Sequence, residues 1–413
     1  MSEVDVAIVG AGAAGLAAAR RLRERGVEAL LLEARARIGG RAHTVVTASG
    51  EPVDLGCGWL HSADRNPWVG IARRFGFAID ETQPGWGERL VRQGFSRAEQ
   101  EDWFRTREEF YARLEQAASQ PDRPASELLE PGNRWNELLN AVSTWANSVE
   151  LDRLSAHDYH RYDDTGINWR VREGYGALVE RFGAGLPVRL STPITRIDWS
   201  GQVLRVETRA GTIAARALIL AVPPSVIAAE GIAFAPALPT AKLGAAHGLP
   251  LGGNNKLFLG LSGDWPEFGA NWHVSGSFAR TRTAAYQMRP HGRPLVEMFV
   301  GGRLGQELEE AGVAAMADFA REELAGIFGS RIRAALTPLA HSAWCTDPYS
   351  RGSYSAALPG HADDRAAWAA PLDERIFFAG EAASLDQFST THGAYLTGLA
   401  AAEQALAALT KAA

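Results

Sequence analysis

The stretch "VDVAIVGAGAAGLAAA", residues 4–19, decides the fold of this chain. Its apolar first part, residues 4–10, predicts a buried strand, and the small residues that follow predict a helix from about residue 14 to residue 25. A second apolar run over residues 28–34 predicts another strand. This βαβ unit indicates an α/β fold with a parallel sheet.

The turn between the first strand and the helix carries the GxGxxG spacing in Gly10, Gly12 and Gly15. The first glycine permits a tight turn, the second lets the backbone approach a pyrophosphate, and the third allows close helix packing. Ala14 lies at the start of the helix, where the helix dipole favours phosphate. Glu33 ends the second strand, where an acid suits ribose hydroxyls. We therefore predict a dinucleotide-binding site here. The alternative is an ordinary glycine-rich turn without a ligand.

A second glycine pair indicates which dinucleotide binds. Gly39 and Gly40 follow Glu33 in "EARARIGGRAHT", and Arg35 and Arg41 flank them. The two guanidinium groups could neutralise the same diphosphate. The stretch resembles the extended FAD fingerprint of glutathione-reductase-like flavoproteins. That resemblance implies a Rossmann FAD-binding domain of the same type.

Size and charge narrow the class of protein. The chain has 413 residues, 44.4 kDa and 46% hydrophobic residues, which is enough for a large core and two or three domains. The net charge of −6 and pI near 6.0 offer no basic surface for nucleic acid. We expect no nucleic-acid partner.

The cysteines and the N-terminus bear on compartment. Cys57 and Cys345 are the two cysteines, which indicates neither a disulfide framework nor a zinc site, so no metal is expected. Glu3 and Asp5 stand where a signal peptide would carry positive charge, and the uncharged run over residues 6–19 is too short to span a bilayer. We expect a soluble, cytoplasmic protein without a membrane partner.

The rest of the chain predicts a second, smaller unit. Ser96 and Glu99 form a capping box before an amphipathic helix that carries Trp103, Phe110, Leu114 and Ala117 on one face. Residues 188–222 have the pattern of a β-meander followed by a buried strand. Further strands are predicted over residues 256–261 and 295–299, and a helix over about residues 313–328. We expect an α+β substrate domain of mixed sheet flanked by helices.

Spaced motifs make the chain resemble the flavin-containing amine oxidases, the family of monoamine oxidases, polyamine oxidases and lysine-specific histone demethylases. The resemblance covers nearly the whole chain. In order, its motifs are "GAGAAG" (10–15), "RIGGR" (37–41), "DLGCGW" (54–59), "EGYGALVERF" (173–182), "STPITRID" (191–198), "NNKLFLGL" (254–261), "WCTDPYSRGSYS" (344–355), "FFAGE" (377–381) and "TTHGA" (390–394).

The resemblance implies cofactor contacts at both ends of the chain. In the family the C-terminal Gly-Glu pair approaches the ribityl and phosphate part of FAD, and the next helix points its amides at the flavin. The residues that match family positions along the cofactor are Gly58, Trp59, Ile194, Gly380, Glu381, Thr390 and Thr391. A plain strand-turn-helix with Thr390 as the helix cap is the alternative.

Lys256 matches the lysine that holds a water beside flavin N5 in this family. The chain has three lysines, Lys242, Lys256 and Lys411, among 42 basic residues. A lysine that opens an apolar strand is therefore expected to be needed as lysine, because an ammonium is compact and a guanidinium is not. A solvated lysine at a strand end is the alternative.

Aromatic residues and one histidine complete the predicted substrate site. Tyr354 matches a tyrosine of the family's aromatic cage, and Trp344 lies in the same loop. Trp59 and His61 match the "W-x-H" stretch of polyamine oxidases, and His61 could tune protonation near neutral pH. The alternatives are ordinary core aromatics and a structural histidine.

Two departures from the family refine the prediction. Ser353 stands where mitochondrial monoamine oxidases have the cysteine that bonds covalently to the flavin, so we expect non-covalent FAD. Thr390 stands in place of the second cage tyrosine, so the slot should be wider than a two-tyrosine cage. The length leaves no room for the demethylases' coiled-coil arm.

We expect an FAD-dependent oxidase of a small-molecule amine with dioxygen as electron acceptor. The predicted FAD-binding domain comprises residues 1–79, 173–244 and 341–413, and the substrate domain residues 80–172 and 245–340. The alternatives are an L-amino-acid oxidase, a protoporphyrinogen-oxidase or desaturase-like flavoenzyme, and a flavin-binding protein without catalysis. The sequence leaves the amine and the oligomeric state open, a homodimer among the options.

Overall fold

The computed structural model describes residues 2–88, 90 and 93–411 of the chain. The strands are β1 (Ser2–Val9), β2 (Ala29–Leu32), β3 (Thr44–Val46), β4 (Pro52–Asp54), β5 (Ile79–Asp80), β6 (Arg170–Val171), β7 (Val188–Arg189), β8 (Ile194–Asp198), β9 (Leu204–Thr208), β10 (Gly211–Leu220), β11 (Ala233–Ala235), β12 (Asn255–Leu261), β13 (Trp272–Ser275), β14 (Ala285–Met288), β15 (Leu295–Val300), β16 (Leu336–His341) and β17 (Ile376–Phe378).

The helices of the described residues alternate with these strands. The α-helices are α1 (Ala13–Glu24), α2 (Pro67–Phe75), α3 (Arg97–Ala117), α4 (Asn136–Ala146), α5 (Ala156–Arg161), α6 (Tyr175–Gly183), α7 (Pro224–Ala228), α8 (Thr240–Gly248), α9 (Gly302–Ala311), α10 (Val313–Phe328), α11 (Arg331–Ala335), α12 (Asp364–Ala369) and α13 (Thr391–Lys411). Single 3₁₀ turns cover Trp86–Glu88, Ala125–Leu128, Leu151–Arg153, Pro290–Gly292 and Glu381–Ala383.

The first sheet has a parallel centre in the order β17, β10, β1, β2, β7. The hairpin of β8 and β9 continues it antiparallel from the first half of β10, and β11 pairs with β8. Val6, Ala7 and Ile8 of β1 are fully buried, because helices and loops cover both faces of the sheet. The predicted Rossmann unit and the β-meander are both present.

The two chain ends pack together on this sheet. Helix α13 lies against α1, and a Cβ at Gly398 would stand 2.1 Å from the Ala14 carbonyl oxygen. The close approach therefore requires a residue without a side chain at 398. It brings the start of α13 beside the glycine-rich turn.

The second sheet is antiparallel throughout, in the order β13, β14, β15, β12, β16, where the sequence predicted mixed directions. Its pairings place Ser275, Ala285, Phe299 and Lys256 in one row across the strands. Side chains alternate between the faces of a strand. The opposite face packs on α9, α10 and α11 through residues such as Leu257, Met298, Val296, Met316 and Leu324.

A helical lobe of α3, α4 and α5 closes the remaining side. Ser96 caps α3 through its predicted capping box with Glu99, and the predicted inner face of Trp103, Phe110, Leu114 and Ala117 is buried. The lobe also contains Trp135 and Leu138 in one apolar cluster.

The strands of each sheet come almost entirely from the segments of one predicted domain. Those of the first sheet fall in residues 1–79, 173–244 and 341–413, and those of the second in 245–340 apart from His341. Residues 1, 89, 91, 92, 412 and 413 of the predicted domains lie outside the described part, and the division into two domains stays a prediction. Among the described residues no helix is long and apolar enough to cross a membrane, and no group of metal-ligating side chains could hold an ion.

Candidate active site

A cavity of about 1180 Å³ runs between the first sheet, the second sheet and the helical lobe. It receives residues from both chain ends and from the middle of the chain. All the sequence-predicted site residues except Gly15 line it, namely Gly10, Gly12, Ala14, Glu33, Arg35, Gly39, Gly40, Arg41, Gly58, Trp59, His61, Ile194, Lys256, Trp344, Tyr354, Gly380, Glu381, Thr390 and Thr391.

The glycine-rich turn has the geometry that the sequence predicts. Gly10 has a φ of +100°, and a Cβ there would lie 2.6 Å from the Ala221 carbonyl oxygen. A Cβ at Gly15 would lie 1.9 Å from the Gly10 carbonyl oxygen, so this glycine serves packing and not the cavity. A Cβ at Gly12 meets the protein only at 3.9 Å and therefore projects toward the cavity. Gly12 is thus the position where the protein leaves room for a ligand.

Glu33 is fixed at the end of β2 by backbone amides. Its carboxylate accepts hydrogen bonds from the Ala11 amide at 2.8 Å and the Arg35 amide at 2.9 Å, and the residue is 3% exposed. The Arg35 guanidinium pairs with Asp347 at 2.8 Å. A fixed carboxylate at a cavity wall beside the glycine turn suits ribose hydroxyls.

The second glycine pair closes over the first. The Gly39 amide donates to the Ala11 carbonyl oxygen at 2.8 Å, and a Cβ at Gly40 would lie 3.2 Å from the Gly12 Cα. Arg41 then reaches across the cavity and donates to Glu381 at 2.8 Å. The "RIGGR" segment is therefore built into the same wall as the GxGxxG turn.

The C-terminal segment supplies the facing wall. Glu381 is 5% exposed, and its oxygens accept hydrogen bonds from Arg41, from the Ser355 amide and hydroxyl, and from the Ser389 amide. Burial raises the pKa of this carboxyl, but the charge of Arg41 and these bonds outweigh it, so the pKa is lowered. Gly380 has a φ of +127° and open space around its Cβ position. Glu381 is thus ionised and fully used in holding the wall.

The hydroxyl of Thr390 is used inside the turn. It donates to the Gln387 carbonyl oxygen at 2.6 Å and accepts from the Gly393 amide at 2.9 Å. This is the capping arrangement that the sequence left as the alternative. The Thr390 hydroxyl is therefore not free to contact a ligand in the cavity. The carbonyl oxygen of the next residue, Thr391, accepts a hydrogen bond from the Trp68 indole at 3.3 Å.

These walls fit a flavin dinucleotide. The cavity provides a glycine turn without side-chain obstruction at Gly12, an amide-fixed acid at Glu33, and the N-terminus of α1 beside them. The conformation of Gly380 leaves further free space on the facing wall. The predicted cofactor-binding residues apart from Gly15 line this one cavity, where they could hold FAD.

Lys256 stands on the cavity face of β12. It is 5% exposed, and its Nζ lies 2.9 Å from a carboxylate oxygen of Glu297 without the alignment of a hydrogen bond. A Cβ at Gly58 would lie 2.9 Å from the same Nζ. The lysine is buried and ion-paired, which contradicts the alternative of a solvated strand end.

Aromatic rings surround the lysine side of the cavity. Trp59 contacts Trp86 edge-on with ring centroids 5.1 Å apart, and His273 lies 6.1 Å from Trp59. The Tyr354 hydroxyl donates to the Trp145 carbonyl oxygen at 2.5 Å and accepts from Asn254 at 2.6 Å. Burial raises the pKa of Tyr354 far above its usual value, so this phenol stays neutral.

Trp344 and His61 are also held by specific bonds. The Trp344 indole donates to the Leu55 carbonyl oxygen at 3.1 Å. His61 pairs through Nδ1 with the Asn168 side-chain oxygen at 2.6 Å. Burial lowers the pKa of His61, although Asp164 and Asn168 act in the opposite direction, so the ring is neutral at pH 7.

The sequence reasoning missed two residues of the lysine side, Glu297 and Arg170. Glu297 lines the cavity from β15, and Arg170 lies behind it on β6. The available signal was a single acid in the apolar strand "LVEMFV", residues 295–300, beside a strand with a single lysine. A charge alone in a buried strand requires a partner.

Comparison with known proteins agrees with this geometry. The model of the flavin-containing amine oxidoreductases matches residues 93–406, and that of an NAD(P)-binding Rossmann-like domain matches residues 8–75. A solved structure of a putrescine oxidase double mutant superposes with a TM-score of 0.81 over 98% of this chain and 99% of that chain, at 19% identity, which shows a common fold.

Curated relatives match over almost the full length. Polyamine oxidase 4 of Oryza sativa subsp. japonica is 29% identical over 98% of this chain and 88% of its own. Probable polyamine oxidase 4 of Arabidopsis thaliana is 30% identical over 97% and 86%. Lysine-specific histone demethylase 2 of Homo sapiens is 26% identical over 96% of this chain and 52% of its own.

The fold, the flavin-shaped cavity and the family match lead to one conclusion. The chain belongs to the flavin-containing amine oxidoreductase family and is a flavin-dependent amine oxidase.

Proposed function

We propose that this protein oxidises a neutral amine at its α-carbon. Bound FAD would supply the redox chemistry, taking a hydride from the α-carbon at N5 and passing the electrons to dioxygen, which becomes hydrogen peroxide. The organic product is an iminium, and water hydrolyses it to an aldehyde or ketone and a smaller amine. The observation that carries the proposal is that Lys256 and Tyr354 line the same cavity as Gly12 and Glu33.

The residues of the chain would bind and orient the amine. Trp59, Trp86 and Phe299 present apolar faces around Lys256, and Tyr354 is neutral and held by two hydrogen bonds. Of the carboxylates near Lys256, Glu297 is already paired with cations. Beside Lys256 the described lining residues thus offer no unpaired carboxylate. Such surroundings favour the uncharged amine over its ammonium form, and the uncharged form is the one that can release hydride.

The negative charge of a recess beside the cavity favours cationic substrates as they approach the protein. A recess adjoins the cavity beside Trp86, and the exposed carboxylates of Glu115 and Asp164 line both. Glu108 lines the recess as well. Arg107 is the arginine that the described part of the chain places in that recess. Among the described residues of the recess, three carboxylates stand against one guanidinium, and this balance attracts protonated amines from solution. We therefore propose basic aliphatic amines, including di- and polyamines, as the first class to test.

The L-amino-acid oxidase alternative needs a guanidinium for the substrate carboxylate. The described arginines that line the cavity are Arg35, Arg41, Arg107, Arg209 and Arg351. Arg35 and Arg41 are paired with acids of the nucleotide walls, Arg107 lies in the acidic recess, and Arg209 and Arg351 are exposed. Arg170 is occupied by Glu297. The guanidinium group beside Lys256 is therefore occupied, which favours an amine without a carboxylate.

The test is reduction of the flavin by substrate. Purified holoenzyme is mixed anaerobically with primary amines, cyclic secondary amines, polyamines and amino acids, and peroxide release is measured in air. We expect bleaching and peroxide with at least one amine, and loss of activity when a carboxylate is added to it. Lys256→Met should keep its yellow colour and lose most of the rate, whereas the exposed Lys411→Met should behave as the wild type. A panel that never bleaches the flavin would refute the proposal.

A further inference from the structure

Lys256 has an acidic neighbour on the same face of the second sheet. Lys256 pairs across the strands with Phe299, and Glu297 lies two residues further along β15, so the two side chains form a diagonal pair. Their charged atoms are 2.9 Å apart, and each side chain is 6% exposed. A one-residue slip of this register would turn Glu297 away from the lysine.

Glu297 is itself anchored from behind by Arg170. Arg170 donates from one guanidinium nitrogen to Glu297 Oε2 at 2.6 Å, while Glu297 Oε1 faces Lys256. The same guanidinium bonds the side chain of Gln287 and lies 4.7 Å from the centre of the Trp59 ring. One carboxylate therefore connects the lysine, the neighbouring strand and the aromatic wall.

The charges of this cluster are strongly coupled. Burial raises the pKa of Glu297, but Arg170 and Lys256 outweigh it and bring it to about 2. Asp54 also faces Lys256, and its carboxylate is occupied by the Thr44 hydroxyl and by the amides of Tyr175 and Gly176. Glu297 is thus the carboxylate in contact with the Lys256 ammonium, and without it two buried cations would share no anion.

We propose that Glu297 is a positioning residue that holds the Lys256 ammonium in place toward the reaction centre, with Arg170 as its anchor. The proposal rests on the proposed function for its effect on rate. Its structural part, the control of Lys256 by Glu297, stands apart from catalysis. If the salt bridge only stabilised the sheet, a change in the environment of Lys256 would have no effect on turnover.

The scarcity of lysine makes a direct test practical. Holoenzyme labelled with 15N-lysine carries three side-chain signals, from Lys242, Lys256 and Lys411, and Lys256→Met assigns the one in the cavity. We expect Glu297→Gln, which keeps the shape and removes the charge, to shift the Lys256 signal and leave the other two. The matched control is Glu323→Gln, which alters another buried acid, bonded to Thr283 and Tyr286 behind the same sheet.

Kinetics separate positioning from stability. We expect Glu297→Gln to lower the rate of flavin reduction by about tenfold or more, with KM changed by less than about threefold. Glu323→Gln should keep the rate, and Glu297→Asp, which restores the charge, should recover part of it. If Glu297→Gln does not fold, Arg170→Lys serves instead, with the same shift of the Lys256 signal expected.

The outcomes are distinct for the two proposals. An unmoved Lys256 signal in the Glu297→Gln or Arg170→Lys holoenzyme would overturn the positioning role, whatever the activity. A shifted signal with an unchanged rate of flavin reduction would also overturn it, because the ammonium would then move without consequence. If no amine reduces the wild-type flavin, the proposed function fails, and the signal shift still decides whether Glu297 controls Lys256.

Discussion

Arg41 and Glu381, 340 positions apart in the chain, form an ion pair at 2.8 Å across the cavity. Arg41 also donates to the Ser353 carbonyl oxygen at 2.6 Å, so it binds two C-terminal segments to the N-terminal glycine-rich wall. The pair thus joins the two halves of the nucleotide cradle. It explains why a fingerprint at residue 10 is matched by a Gly-Glu turn near the C-terminus.

Replacing Arg41 should loosen this cradle. In Arg41→Ala the Glu381 carboxylate is left buried with its main counter-charge removed, and breaking a buried pair costs about 3–5 kcal/mol. We expect a lower melting temperature of the apoprotein and weaker FAD binding, measured by calorimetry and by titration with FAD. Arg97→Ala, which removes an exposed pair with Glu101, is the control and should change neither. Unchanged FAD affinity in Arg41→Ala would contradict the role assigned to the pair.

Two glycine-to-alanine changes test the turn by contrast. Gly15→Ala places a methyl group 1.9 Å from the Gly10 carbonyl oxygen, so the turn must shift. Gly244→Ala, in helix α8, meets nothing within 4 Å. We expect Gly15→Ala to fail to retain FAD or to fold, and Gly244→Ala to be neutral or more stable by up to about 1 kcal/mol. FAD content and thermal unfolding measure both, and a yellow Gly15→Ala protein of wild-type stability would be incompatible with the packing described.

Two histidines with lowered pKa values should make the protein acid-sensitive. Burial lowers the pKa of His43 to about 4, with the charges of Arg37 and Arg35 acting the same way, and burial together with nearby His61 lowers that of His392 to about 4. Since the unfolded values lie near 6.5, the unfolded chain binds more protons between pH 6.5 and 4. The free energy of unfolding should therefore fall on acidification through this range, by at most about 1.4 kcal/mol per pH unit and histidine.

Denaturant unfolding at pH 7.5 and pH 5 measures this slope. His43→Gln should flatten it, whereas His247→Gln, at an exposed position of α8, should leave it unchanged. Equal slopes in His43→Gln and wild type would show that His43 is not the titrating group.

The flavin should be released by acid. Ser353 stands beside Tyr354, and its hydroxyl donates to the Gly252 carbonyl oxygen at 2.8 Å and accepts from the Asn254 amide at 3.1 Å. A hydroxyl engaged in this way offers no thiol for a covalent bond. After precipitation with trichloroacetic acid we expect the yellow colour in the supernatant. Colour that stays with the pellet would show a covalent link.

The parts of the fold that were predictable depend on neighbours in sequence. The helix over residues 313–328 was predicted at its observed ends, and Ser96 caps α3 as expected, because apolar period and capping are local properties. The need for glycine at positions 10 and 15 could likewise be predicted, because both belong to one local turn.

The missed parts depend on register between distant strands. The diagonal pair of Lys256 and Glu297 follows from the pairing of β12 with β15, and Arg170 reaches it from a two-residue strand. No local pattern specifies such a meeting. The capping role of the Thr390 hydroxyl was predicted only as an alternative. The family motif predicts a cofactor contact for this residue, whereas its place at the start of a helix predicts a cap.

A crystal structure of the protein with FAD bound would show directly whether the cavity holds the flavin beside Lys256. We expect the pyrophosphate at Gly12 and the N-terminus of α1, the ribose at Glu33, and Lys256 with Tyr354 at the isoalloxazine ring. Clear density for FAD elsewhere, or an isoalloxazine ring remote from Lys256, would contradict this expectation.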